Sequence, residues 1–94
     1  MIVSWDPNKA STNLQKHGIS FEVAATVFND SHHLSILNAK SRGNERWATI
    51  GLAAYRKTLV VVHTYFDDHS GKFVRIISAR RTTKKERQVY EKGI

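Results

Sequence analysis

Hydrophobic and polar positions alternate along this chain in two rhythms. From Pro7 to Phe28 the apolar residues recur every three or four positions, and from His33 to Ala79 mostly every second position. The first rhythm belongs to helices and the second to half-buried strands. Ile2-Val3-Ser4-Trp5 precede the helical stretch as a short strand. Asp6-Pro7 then starts a helix, because Asp6 can accept an orphan backbone N–H as N-cap and Pro7 suits the first helical position. Ala10, Leu14 and His17 form the stripe of that helix and Gly18 its stop. Ser20 opens a second helix, with Phe21, Ala24, Ala25 and Phe28 on one stripe, Val23 and Val27 widening it, and Asn29-Asp30 ending it.

The rest reads as strands and one last helix. His33 to Leu37 is a strand and the polar stretch Asn38 to Asn44 a loop. Glu45 to Ala53 and Thr58 to Phe66 are strands, Asp67 to Gly71 is a turn, and Lys72 to Ala79 is the fourth strand of this region. Thr83-Lys84-Lys85-Glu86 is a capping box, which opens a helix running to about Lys92. The short connections pair neighbouring strands antiparallel. The expectation is therefore an α+β fold in the order β-α-α-β-β-β-β-α. It has an antiparallel sheet, two N-terminal helices and a C-terminal helix, all in one domain over residues 1–94.

Composition narrows the class. A chain of 94 residues supports a single core, and 40% hydrophobic residues argue against disorder. Without cysteine there is no disulfide framework and no thiolate chemistry. Leu59-Val60-Val61-Val62 is too short an aliphatic run to cross a bilayer, and Met1-Ile2-Val3 does not open a signal peptide, so the cytoplasm is the expected location. Net charge changes the picture most. Fifteen Lys and Arg against 8 Asp and Glu give +7, which draws in anions. Nucleic acid and acidic protein are the natural partners. A membrane surface is not, because the basic segment lacks a broad apolar face. Arg75, Arg80, Arg81, Lys84, Lys85 and Arg87 crowd the last quarter of the chain, with only Glu86 among them.

Pairing Phe66 with Lys72 across the last turn sets His63 opposite Arg75. Pairing Ala53 with Thr58 sets Tyr65 opposite Arg46. In that register Arg46, His63, Tyr65 and Arg75 point the same way, above a floor of Leu59, Val61 and Ile77. A one-residue slip in either hairpin scatters the group. Together these are parts for RNA cleavage without a metal: His63 as base or proton shuttle, Arg46, Arg75 and Arg80 as phosphate clamps, Tyr90 as an acid or stacking residue. Lys84, Lys85, Arg87, Arg81 and Tyr65 would hold RNA around them. Each residue alone has a plainer reading. His63 fits a packed strand, Arg75 could pair with Asp67, Asp68 or Glu45, and the terminal cations suit a solvated helix face. No His, Asp or Glu set has metal-ligand spacing, and no phosphate-cradling glycine loop is present, so neither a metal nor a cofactor is expected.

Two stretches resemble a known family. Trp5-Asp6-Pro7-Asn8-Lys9, continued by Asn13 to Phe28, is similar to the opening of BrnT-type toxins. Val60-Val61-Val62-His63-Thr64, Arg75 to Thr82, Glu86-Arg87 and Tyr90-Glu91 resemble its second half, and Glu45-Arg46 before a strand fits as well. The resemblance implies a bacterial type II toxin with a RelE-like fold, acting as a metal-independent endoribonuclease that inhibits translation. It also implies a BrnA-like antitoxin as partner, a heterotetramer as one possible assembly, and contact with operator DNA only through that antitoxin. By position the family motifs mark Lys9, His17, Glu45, Arg46, His63, Arg75, Arg80 and Tyr90. The alternative is a basic module that binds RNA or an antitoxin without catalysis.

Overall fold

The computed structural model describes residues 1–39 and 45–93. Strand β1 (Ile2–Trp5) is followed by helices α1 (Pro7–His17) and α2 (Phe21–Ala25) and a 3-10 turn (Thr26–Asn29). Strands β2 (Leu34–Ala39), β3 (Arg46–Leu52), β4 (Thr58–Asp68) and β5 (Gly71–Arg81) come next, then α3 (Lys84–Lys92). The element order is the one the hydrophobic rhythm predicts. The caps are also as expected: Asp6 accepts from the Asn8 amide, and Thr83 and Glu86 satisfy each other's backbone N–H groups. The loop expected at Asn38–Asn44 lies, from Lys40 onward, outside the described residues, and β2 reaches through Asn38 to Ala39.

The five strands lie in the order β1-β5-β4-β3-β2. Neighbours among β2 to β5 are antiparallel, but β1 runs parallel to β5, from Ile2 opposite Phe73 to Trp5 opposite Ile76, so the sheet is mixed. Helices α1 and α2 cover one face, here called the inner face. The core forms there, between Ile19, Phe21, Ala24 and Val27 on the helical side and Leu59, Val61, Val74, Ile76 and Ala79 on the sheet. The other, outer face carries α3 at one end, with Val89 beside Ile50 and Val60. None of the described helices is long and apolar enough to span a membrane.

The stripe expected on α1 is displaced. Leu14 is 51% exposed and His17 is exposed, whereas Asn13 is buried. The Asn13 amide explains the exchange. Its nitrogen donates to the carbonyls of Ile19 (3.0 Å) and Ala79 (2.9 Å), and its oxygen accepts from the Ala79 N–H (3.0 Å). One polar side chain thus ties α1 to the last strand and satisfies backbone groups that burial would otherwise leave unpaired.

Both hairpins sit one residue away from the expected register. The last turn is tighter than its five polar residues suggest. Asp68 pairs with Gly71 because the Asp68 carboxylate accepts from the amide and hydroxyl of Ser70, leaving only His69 and Ser70 to turn. The β3–β4 link is looser by one. Leu52 pairs with Thr58, and the Ala53 N–H donates to the Lys57 carbonyl at 2.7 Å around a 3-10 turn over Ala54–Arg56. A bulge in β5 adds a further shift, since Val62 pairs with Ser78 and His63 with Ile76, which leaves Ile77 as the extra residue.

Candidate nucleic-acid interface

On the outer face, Thr64 of β4 has Arg46 of β3 on one side and Arg75 of β5 on the other. Residues directly opposite in a ladder share a face, so the two guanidinium side chains flank the Thr64 side chain. Their backbones are two strand spacings apart, roughly 10 Å, a gap that two arginines can close over one phosphate. Both are exposed. Among the described residues neither pairs with a carboxylate. Next along the same face, Phe66 pairs with Phe73, their ring centroids 6.3 Å apart and tilted by 40°. In the other direction the floor becomes apolar through Ala48, Val62, Ile36, Ile50 and Val60, and forms a groove of about 550 Å³. Arg80, Lys85 and Glu86 stand at its α3 end.

His63 is elsewhere. It pairs with Trp47 and Ile76, residues of the inner face, and is only 3% exposed. The face shared by Arg46, His63, Tyr65 and Arg75 that the sequence suggests is therefore not formed. The one-residue register difference in each hairpin puts the imidazole and the Tyr65 ring on the opposite side of the sheet from the two guanidiniums. The imidazole is also fully engaged. Its Nδ1 lies 2.9 Å from the Thr64 carbonyl, which can only accept, so Nδ1 carries the proton. Nε2 is then the acceptor for the Thr49 hydroxyl at 2.6 Å, and Thr49 in turn accepts from Ser35 at 2.7 Å. The Phe28 ring meets the imidazole edge-on, 4.9 Å between centroids. Burial lowers the His63 pKa below its ordinary value, outweighing the Thr64 carbonyl, and the charge of His33 lowers it further. This is a neutral histidine held in the core. Tyr65 lines a cavity of about 380 Å³ beside it, with Trp47, Ser35 and Lys72.

The other candidate residues separate into distinct places. Arg80 shares the outer face, but both of its terminal nitrogens donate to Glu86 at 2.8 Å. Arg80 and the Thr83 amide hold the Glu86 carboxyl down at about 2 despite partial burial. That pair fixes the start of α3 to the sheet, and it leaves Arg80 less free to clamp a phosphate than Arg46 or Arg75. The Tyr90 hydroxyl donates to Asp30, which also accepts from the Leu52 N–H at 2.8 Å. Burial and the Asp30 charge push Tyr90 up to about 12, so its proton serves the docking of α3. Burial acts to raise the Asp30 pKa, but hydrogen bonds from Leu52, Tyr90 and His32 outweigh it and the value is lowered. Lys9 lines a hollow between α1 and the β5 bulge, with Lys16, His17 and Ser78. Lys85 faces the outer groove, whereas Arg81, Lys84 and Arg87 gather around a separate cavity with Arg56. No cluster of metal-ligating side chains occurs among the described residues.

Sequence reading missed Thr64, Phe66 and Phe73, and also Asn13. The signal for the first three was present, since they share parity with Arg46 and Arg75 once the register is right. Asp67, whose charge would oppose RNA, pairs with Lys72 and has the parity of Tyr65. It therefore lies on the inner face, away from the arginine row, whereas Asp68, paired with Gly71, has the parity of Thr64 and Phe66 and stays on the outer side, its carboxylate accepting from Ser70.

A family model described as "Ribonuclease toxin, BrnT, of type II toxin-antitoxin system" matches residues 5–86. Among solved structures, the ribonuclease toxin BrnT of Brucella abortus matches with a TM-score of 0.60 and 20% sequence identity, over 89% of this chain and 99% of that one. None of the curated proteins matches.

Proposed function

This chain belongs to the BrnT family of ribonuclease toxins from type II toxin–antitoxin systems, and on that footing we propose that it cuts RNA on the outer face of its sheet, between Arg46 and Arg75. One observation carries the placement: two exposed guanidiniums, without acidic partners among the described residues, flank one threonine on the face that carries α3 at its other end. The scissile phosphate lies across them. The ribose 2′-oxygen attacks the adjacent phosphorus, and the bond to the 5′-oxygen breaks. The guanidiniums neutralise the charge that builds on the phosphorane oxygens, which is the work a metal ion would otherwise do. Phe66 and Phe73 offer faces for the neighbouring bases. With His63 on the far side of the sheet, water takes the 2′-OH proton and gives one to the leaving oxygen.

Loss of cleaved transcripts would stop translation. A BrnA-like antitoxin silences the toxin by covering the same groove, whose apolar floor and cationic rim suit an amphipathic acidic segment. Operator DNA is touched only through the antitoxin, in a heterotetramer of toxin and antitoxin.

Replacing Arg46 or Arg75 by alanine should lower the cleavage rate on RNA by about 10²–10³-fold, as losing one well-aimed donor does. Both are exposed, so the thermal midpoint should stay within a degree or two. Undiminished cleavage by the double variant would remove this site. A second reading follows from the position of His63: without an imidazole beside the row, the face could bind RNA and leave it whole. Salt-sensitive binding with RNA intact after long incubation would select that reading.

A further inference from the structure

At the end of the sheet away from Arg75, the start of β4 and the end of β5 meet the first turn of α3. Arg56, Arg81, Lys84 and Arg87 surround a cavity of about 220 Å³ there, with the polar side chains of Thr58 and Thr82. Of these four cations only Arg87 has an acidic partner among the described residues, Glu91 at 3.3 Å, and both of those side chains are largely exposed. Four like charges around one hollow repel each other. Lys84 and Arg87 also sit in the first turn of a helix, where the backbone dipole disfavours cations. The arrangement suits an anion. Beside it, Tyr55 is 82% exposed. Tyr55 and Arg56 are held in the left-handed region, at φ 64° and 59°, in the turn that joins β3 to β4, so an exposed ring adjoins a cavity-lining guanidinium along the chain.

We propose that this end is a distal subsite for single-stranded RNA, with Tyr55 stacking a base and Arg56, Arg81, Lys84 and Arg87 holding the phosphates beside it. The proposal rests on the outer face being the place of cleavage. Continuity between the two comes from Lys85, which faces the groove one residue from Lys84. Along β4 from Thr64 to Thr58 the distance is roughly 20 Å at strand rise, a span of several nucleotides. An exposed tyrosine one residue from a cation-lined cavity matches a base beside phosphates better than it matches an acidic helix, which has no flat face to offer the ring. The subsite adds affinity to strands long enough to reach it and leaves the chemistry alone.

The test compares two substrates, a dinucleotide and a single-stranded oligonucleotide of about a dozen residues, across two variants. Tyr55→Gly suits the left-handed backbone and removes only the ring, and Arg56→Ser/Arg81→Ser halves the cation cluster. On the long strand KM should rise roughly 5- to 100-fold with kcat unchanged, while cleavage of the dinucleotide stays as in the parent. An unchanged KM on the long strand overturns the proposal, and so does an equal loss on both substrates. Weaker antitoxin binding with RNA kinetics untouched also overturns it, and would mark the patch as a protein dock. If the parent cleaves neither substrate, the cleavage reading fails by itself. Anisotropy with a non-cleavable 2′-deoxy strand then still decides the subsite, which requires weaker binding by both variants.

Discussion

His63 shows how a residue's surroundings settle its role. Its two nitrogens are used by Thr49 and the Thr64 carbonyl, and its ring packs on Phe28. Its pKa is lowered by burial, so the folded state binds fewer protons at this site than the unfolded chain. Stability from this group is therefore complete above its unfolded value, near ~6.5, and is lost as pH falls from there through the lowered folded value. A thermal-melt series should show the parent losing stability through that window. His63→Gln, which cannot titrate, should flatten the slope and still cleave RNA at a comparable rate per folded molecule. A bell-shaped cleavage profile that disappears in this variant would return the imidazole to the chemistry. Asn13 makes the contrasting case of a polar residue whose work is structural. Asn13→Ala leaves the buried N–H and carbonyl of Ala79 without partners and should cost about 2–4 kcal/mol in denaturant unfolding. A loss below half a kcal/mol would mean that water replaces the amide freely.

Among the elements, what could be read from the sequence depended on locality. Helix starts were legible because Asp6-Pro7 and Thr83-Lys84-Lys85-Glu86 carry their own capping atoms, and strands because alternation survives any register. Register was not legible, because it turned on single hydrogen bonds in two turns. Asp68 gripping Ser70 shortened one link, and Tyr55 and Arg56 in left-handed conformations lengthened the other. The period of two turns each such slip into a change of face. The arginine row was thus recoverable as residues but not as an arrangement with His63. The anchoring of α3 was half legible. The capping box was plain, whereas the Arg80–Glu86 pair and the Tyr90–Asp30 bond join positions that only the fold brings together. Glu86→Ala removes the reciprocal cap and the ion pair at once. With both side chains partly exposed, the expected cost is about 1–2 kcal/mol, read as a lower denaturation midpoint. The Glu86 carboxyl is held at about 2, below its ordinary 4.5. Its contribution is present above the ordinary value and lost as pH falls from there to about 2, so parent and variant should converge in stability at the acid end.

Over the whole molecule, charge and shape divide the work between the two faces. Helices α1 and α2 seal the inner face, and that seal is where the core sits. The outer face keeps its floor partly open, with Arg46 and Arg75 at one end and Lys85 along the groove, and the Arg56 cluster lies at the far end of the sheet, around the start of α3. The net charge of +7 gives such a face a long reach toward any polyanion. Reach alone does not separate phosphates held by named side chains from a diffuse cloud of counterions, but salt does. Each phosphate neutralised on a single strand contributes a slope of about 0.7 to the fall of log K with log salt. Alanine at both Arg46 and Arg75 should therefore flatten the slope by about 1.4 if each holds one phosphate. Binding of a non-cleavable RNA strand, measured between low and physiological salt, reads this directly. Equal slopes for parent and variant would mean that the row does not touch the backbone, and the cleavage site would have to lie where other cations meet the strand.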